Sequence, residues 1–177
     1  TKVEFKKLRA GGEIMASGEC AELPSSSWVG TGTMTTRVNP DMRGLALYGS
    51  RLKDAVGLRG TPTIRSAQIY VIRDNDDGEA QANVHAFWSS QGSVGGIGGT
   101  LLTNGMTKLG NIGKGERKWF PLPESWYSSF NNNLKSIGFN FKDPSFATSQ
   151  PADYASFIGS DVEVRAAELH IVWEEAL

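Results

Sequence analysis

Cysteine, histidine, long apolar runs and an excess of either charge are what this 177-residue sequence is short of. Cys20 stands alone, so no disulfide can close within the chain and no zinc site of paired cysteines can be built. A single thiol suits a reducing compartment, and equally a protein assembled in a bacterial cytosol and later exposed on a particle. No stretch approaches the ~20 apolar residues that span a bilayer, and no signal-peptide or anchor pattern is visible, so membrane insertion is not expected. Lys and Arg number 18 against 19 Asp and Glu, scattered along the chain for a net charge of -1. Without a basic field to neutralise a run of phosphates, nucleic acid is not expected as a partner. The chain opens at Thr1 in place of Met, as a trimmed product or a piece of a longer protein does.

Glycine and alternating apolar residues are what the sequence has. A hydrophobic fraction of 39% fills a core, and the 21 glycines fall mostly between apolar segments, the composition of many short strands joined by turns. Thr63–Arg73 is the strongest strand, with Ala67, Ile69 and Val71 on one face and Gln68, Tyr70 and Ile72 on the other. Ala82–Trp88 sets Val84, Ala86 and Trp88 against Asn83, His85 and Phe87, and the Asp77-Gly78 turn predicts that these two strands pair as a hairpin. Further strands are expected at Ile14–Leu23, Trp28–Val38, Leu45–Tyr48, Lys118–Leu122, around Ile137-Gly138-Phe139, at Tyr154–Ile158 and at Ala167–Trp173. Helical spacing is confined to Ser50–Val56 and Glu124–Phe130, the latter carrying Trp126 and Phe130 toward the core. Gly92–Gly99 has side chains too small to pack and reads as a surface loop. The fold class is therefore all-β: an antiparallel β-sandwich, jelly-roll-like, with one or two short helical turns. Residues 1–27 form an N-terminal arm or the first strands, packed on their own domain or a neighbour's, and residues 28–177 form the sandwich, each sheet with one buried and one wet face.

Chemistry-bearing clusters are few. The segment from Asp74 to Glu79 is the densest in oxygen, and Asp74, Asp76 and Asp77 offer ligands for Ca²⁺. Glycine comes fifth in that run, where a calcium-binding loop needs it sixth, so a turn with Asp-Gly supplying positive φ is the preferred reading. His85 and His170 sit on strand faces opposite apolar sets and read as solvated or hydrogen-bonded residues. No Gly-x-Ser-x-Gly elbow is present, and Gly95–Gly99 lacks the Lys-Ser/Thr ending and following helix of a phosphate loop. No catalytic residue and no cofactor are assigned. The aromatics carry more information. Trp119 and Phe120 are neighbours on one strand and must point to opposite faces. Trp28, Trp88, Trp119, Trp126 and Tyr127 are the candidate ligand-binding residues, because an exposed flat ring stacks on sugars while a buried one is core.

A longer order of motifs runs from Ser50–Val56 through Ile64-Arg65-Ser66-Ala67-Gln68-Ile69-Tyr70-Val71 and His85–Trp88 to Gly113–Pro123. It continues with Trp126, Ile137-Gly138-Phe139, Tyr154–Gly159 and the closing strand Ala167–Trp173. Over roughly residues 28–173 this order resembles the β-sandwich domain of minor tail proteins from phages of actinobacteria, with its Trp-Phe-x-Leu-Pro-x-x-Trp corner and Trp- or Tyr-closed last strand. The resemblance implies a non-enzymatic virion structural protein, a tail or tail-tip module for assembly or host-surface attachment. Its expected partners are other virion proteins, further copies of itself and host cell-wall glycan, and its expected location is the virion, assembled in the host cytoplasm. The alternatives are a carbohydrate-binding jelly-roll module, a capsid decoration protein and a fragment of a polysaccharide-degrading enzyme.

Overall fold

Strands whose apolar residues recur every second position need a second sheet to bury them. In the computed structural model of this chain the described residues are 8–16, 19–24, 29–30, 33–37, 42–56, 63–78, 80–92, 104–130, 133–140, 154–159, 162–163 and 165–176. They form β1 (Leu8–Ala16), β2 (Glu19–Pro24), β3 (Val29–Gly30), β4 (Thr33–Arg37), β5 (Met42–Leu47), α1 (Arg51–Val56), β6 (Thr63–Ile72) and β7 (Gln81–Ser89). After these come β8 (Asn104–Gly113), β9 (Arg117–Pro121), a 3-10 turn (Glu124–Ser129), β10 (Ser136–Asn140), β11 (Tyr154–Ile158) and β12 (Leu169–Ala176). One sheet has the order β1-β12-β6-β9; the other runs β11-β4-β5-β10-β7-β8, with β2 beside β5 and β3 beside β2. All pairings are antiparallel.

The pairings nest. β7 pairs with β8, and around that hairpin lie β6 with β9, β5 with β10, β4 with β11 and β1 with β12. The chain is thus one long hairpin wound into two layers by the contacts β12–β6 and β10–β7. That is jelly-roll winding. The protein is an all-β antiparallel sandwich, as its alternation predicts. β1 and β2, the segment read as an arm or first strands, lie in the two sheets of their own chain, beside β12 and β5.

The core lies between the sheets. Ala67, Ile69 and Val71 of β6, Phe120 of β9, and Leu169, Ile171 and Trp173 of β12 meet Ala46 of β5, Val84 and Ala86 of β7, and Ile137 and Phe139 of β10. Leu52 of α1 and Trp126 and Phe130 around the 3-10 turn close the edges.

The expected hairpin between β6 and β7 is not formed. The two strands lie in different sheets, and the chain between them turns a corner. At that corner Arg73 has a fully buried side chain and forms a two-pronged ion pair with Asp76 at 2.9 and 3.0 Å. The Asp76 carboxylate also accepts the backbone N–H of Gly78 at 2.8 Å and of Ser156 in β11 at 2.9 Å. Arg73 in turn donates to the Ile112 carbonyl of β8 at 3.2 Å. These bonds draw residue 76 toward β11 and away from a tight turn, so β7 enters the opposite layer. Its hairpin partner is β8, which the sequence reading did not pick out. Asn104–Gly113 carries three glycines and little alternation, and it holds strand form through its pairing to β7, bulged twice to follow it.

A second difference concerns the faces. The outer side of the larger sheet is not uniformly wet, because Leu45, Leu47 and Phe87 are buried there, on the side opposite Ala46, Ala86 and Ile137. Phe87 lies across Gly138 of β10, and a Cβ at position 138 would stand 2.0 Å from the Phe87 ring. Glycine at 138 is what lets the ring cover its cross-strand neighbour.

Burial alone would push the Asp76 carboxyl up, but the Arg73 hydrogen bonds, the Ser156 and Gly78 amides and the Arg73 charge outweigh it and hold the pKa below the ordinary carboxylate value. A depressed folded pKa gives stability that is present above the unfolded value of about 3.9 and is lost as pH falls through the folded one. Asp76→Asn is expected to cost about 3–5 kcal/mol in urea denaturation at neutral pH, by leaving the Arg73 charge buried without its counter-ion. It is also expected to flatten the decline of stability with acidification below about pH 5, and the double change Arg73→Met with Asp76→Leu to recover most of the loss. Gly138→Ala is expected to cost about 1–3 kcal/mol by overpacking against Phe87, measurable in the same denaturation series.

Candidate functional site

Burial sorts the aromatic candidates. Trp126 is 1% exposed, and its indole N–H donates to the Gly105 carbonyl at 3.0 Å. Gly105 has φ +60°, and a Cβ there would lie 2.4 Å from the indole nitrogen, so only glycine accommodates this contact. Both faces of Trp126 are used inside the protein, which corrects its reading as a stacking surface. Trp88 on β7 and Tyr127 on the 3-10 turn are half-buried and packed against the core. Trp28 lies outside the described residues, as do residues 93–99 of the glycine-rich loop. Trp119 differs from all of these.

On β9 the neighbours Trp119 and Phe120 part as strand geometry requires. Phe120 enters the core, and Trp119 lies half-buried on the outer face of the four-stranded sheet. Register places it directly opposite Tyr70 of β6. The two rings are 5.0 Å apart at their centroids with planes inclined by 40°. His170 of β12 meets Trp119 edge-on at 6.3 Å. The row therefore crosses three hydrogen-bonded strands, a stiff support for a contact surface.

Charged groups frame the row. The Arg165 guanidinium stands 4.8 Å over the Tyr70 ring, a cation–π contact. Arg117 of β9 pairs with the Glu163 carboxylate; Glu163 first and the neighbouring Tyr70 second keep its pKa above the ordinary arginine value. Arg165 also pairs with Glu168 at 3.5 Å, and Arg65 pairs with Glu174 further along the sheet. The turn that presents Arg165 is held from below. Ala167 has φ +56°, which costs a residue with a Cβ about 1–2 kcal/mol. The buried Tyr48 hydroxyl donates to its carbonyl and holds that conformation. Tyr48 thus links the core to the orientation of Arg165.

Of the candidate ligand-binding residues, only Trp119 lies in this group among the described residues. His170 was read as a solvated or hydrogen-bonded residue, and Tyr70, Arg165 and the pair Arg117–Glu163 were not picked out. Tyr70 had a signal, since it is an aromatic on the polar face of the strongest strand, but its pairing with Trp119 depends on β6 and β9 being neighbours across some fifty intervening residues. Asp74, Asp76 and Asp77 do not converge on a shared point. Asp76 already takes four hydrogen bonds from Arg73, Gly78 and Ser156, and Asp74 accepts the Asn75 N–H at 2.8 Å. Among the described residues no three His, Cys, Asp or Glu side chains are grouped to hold a metal, and no helix is long and apolar enough to cross a membrane.

Searches against protein-family models and against curated proteins return no match to this chain.

The two tryptophans flanking the Pro121–Pro123 corner are expected to behave oppositely. Trp126→Ala should lose about 3–5 kcal/mol of stability, as large-to-small changes of a buried aromatic do. Trp119→Ala, from a half-buried place on the outer face, should lose about 1–2 kcal/mol, the share of its ring that the neighbours cover. Thermal denaturation of the two variants side by side checks the assignment.

Proposed function

We propose that this chain is a non-enzymatic recognition module of a phage virion, a tail or tail-tip component that contacts the host surface through the outer face of its four-stranded sheet. The observation that carries the contact is the row Trp119–Tyr70 with Arg165 above it, aromatic surface left partly open on a rigid three-strand support. Among the described residues, Arg165 stands over the Tyr70 ring and His170 meets Trp119 edge-on, and Trp119 keeps part of its ring open on the outer face. Aromatic faces of this kind stack on sugar rings, which makes host cell-wall glycan the surface component addressed.

The virion assignment is supported by the order of motifs from Ser50 to Trp173. Jelly-roll winding is compatible with it, since coat and lectin domains share that architecture, but fold alone selects no function. Other virion proteins and further copies of the same chain are the partners this reading expects, and repeated subunits are how particles are built. A carbohydrate-binding module outside any virion would use the same face, and differs in being monomeric and unattached to a particle.

Retention of the protein on purified actinobacterial cell walls tests the reading. The wild type should be retained, and it should remain so in EDTA, because Asp76 is committed to Arg73. Trp119→Ala should lower retention by up to roughly tenfold, the loss of about 0.5–1.5 kcal/mol expected for one stacking ring. Equal retention of the variant would place the contact elsewhere, and turnover of wall polysaccharide abolished by a single carboxylate change would make the protein an enzyme.

A further inference from the structure

We propose that the ligand of the four-stranded sheet is an uncharged glycan, stacked on Trp119 beside Tyr70 and read at its hydroxyls by the Arg117–Glu163 pair. The inference rests on the preceding reading of this face as the recognition surface and adds the chemical class of what it recognises.

Charge balance carries it. Arg65, Arg117 and Arg165 are each paired with a glutamate, Glu174, Glu163 and Glu168 respectively. An anionic ligand, whether a uronate or a phosphate polymer, needs guanidinium groups free to form two-pronged bonds with it. Here it would have to displace a carboxylate from each arginine and then sit beside the displaced negative charge. A nucleic-acid strand could use the rings but would meet the same obstacle along its whole backbone, where it requires a continuous positive groove. Among the described residues of this face, the arginines are therefore arranged against anions.

A sugar hydroxyl has different needs, because it donates one hydrogen bond and accepts others at the same atom. An Arg–Glu pair supplies both partners at fixed spacing: N–H groups of the fork and lone pairs of the carboxylate. Arg117 and Glu163 keep half and nearly a third of their side-chain surface exposed, at 50% and 30%, so both retain unused hydrogen-bonding positions toward solvent. Arg117 is two residues from Trp119 on β9, and β9 lies beside the β6 strand that carries Tyr70, so the polar reader and the stacking ring share one sheet face. The inclination of 40° between Tyr70 and Trp119 gives a bent platform, suited to successive rings of a chain that are themselves not coplanar. Exposed ion pairs contribute little to stability, so changes at Glu163 leave the fold intact.

Affinity electrophoresis of the intact protein tests this, using a neutral glucan, mannan and galactan and, as the anionic probe, polygalacturonate, each at low and high salt. At least one neutral polysaccharide should retard the wild type, and the retardation should not change with salt, as expected when no charge is neutralised on binding. Glu163→Gln should weaken that binding roughly tenfold, the loss of a hydrogen bond to a charged group, with an unchanged melting curve. Retardation by polygalacturonate alone, or retardation that collapses at high salt, overturns the inference. So does an absence of retardation by every neutral polysaccharide while cell walls still retain the protein through Trp119; in that case the recognition surface stands and only its ligand class falls. Loss of both wall retention and polysaccharide binding removes the recognition reading itself.

Discussion

The ion pair between Arg73 and Asp76 is the constraint on which the arrangement of this molecule depends. It sits where the chain leaves one sheet for the other, and its bonds reach β6, the turn, β8 and β11 at once. A buried pair returns little net energy over apolar residues of the same size. What it supplies is direction. The guanidinium draws the Asp76 carboxylate and the Ile112 carbonyl together, and the carboxylate gathers the Gly78 and Ser156 amides. A direct hairpin between β6 and β7 would take the Ile112 carbonyl and the Ser156 amide away from the pair and leave buried polar groups without those partners. The costlier the unpaired state, the more sharply the alternative winding is excluded.

Once that corner is set, the rest of the winding has few choices left. β7 lies in the larger sheet and pairs with β8, and β9 returns across the core to lie beside β6. That return brings Trp119 opposite Tyr70. The Trp119–Tyr70 face is thus a consequence of the crossover: the same corner that denies β6 a hairpin partner in β7 leaves its edge open for β9. The core side of the pairing is filled by Phe120, Ile69 and Val71, so the sheet is held flat and firm behind the rings. Tyr48 does similar service at the far end, fixing through one hydroxyl the turn that places Arg165.

Strand identity was largely legible in the residues. Thr63–Ile72, Gln81–Ser89 and Leu169–Ala176 alternate cleanly, and the inward sets read from alternation at β6 and β12 are the buried ones. The short helix at Arg51–Val56 and the 3-10 turn around Trp126 were legible for the same reason, since periodicity is a local property. β8 was not, because glycines at 105, 110 and 113 mask a strand whose shape is imposed by β7 and by the close approach of Trp126. Of the candidate site, Trp119 was legible, because two adjacent aromatics on one strand cannot share a face. Its partners were not, because nothing near them in sequence brings them together.

What the amino-acid order determined by itself is the class of structure: short amphipathic strands, glycine turns, one core, no cross-link and no excess charge. Period-two alternation and composition are enough for that, as each strand carries its own demand for a buried face. Which strands are neighbours was decided by the tertiary structure alone. Pairing depends on long-range closure and on groups such as Arg73, whose partner Asp76 is close in sequence while the amide and carbonyl that complete the site come from β11 and β8. The candidate site follows that division. Aromatic residues suitable for recognition can be counted in the sequence, but only the packing of β9 against β6 decides that Trp119 stays at the surface and Trp126 does not.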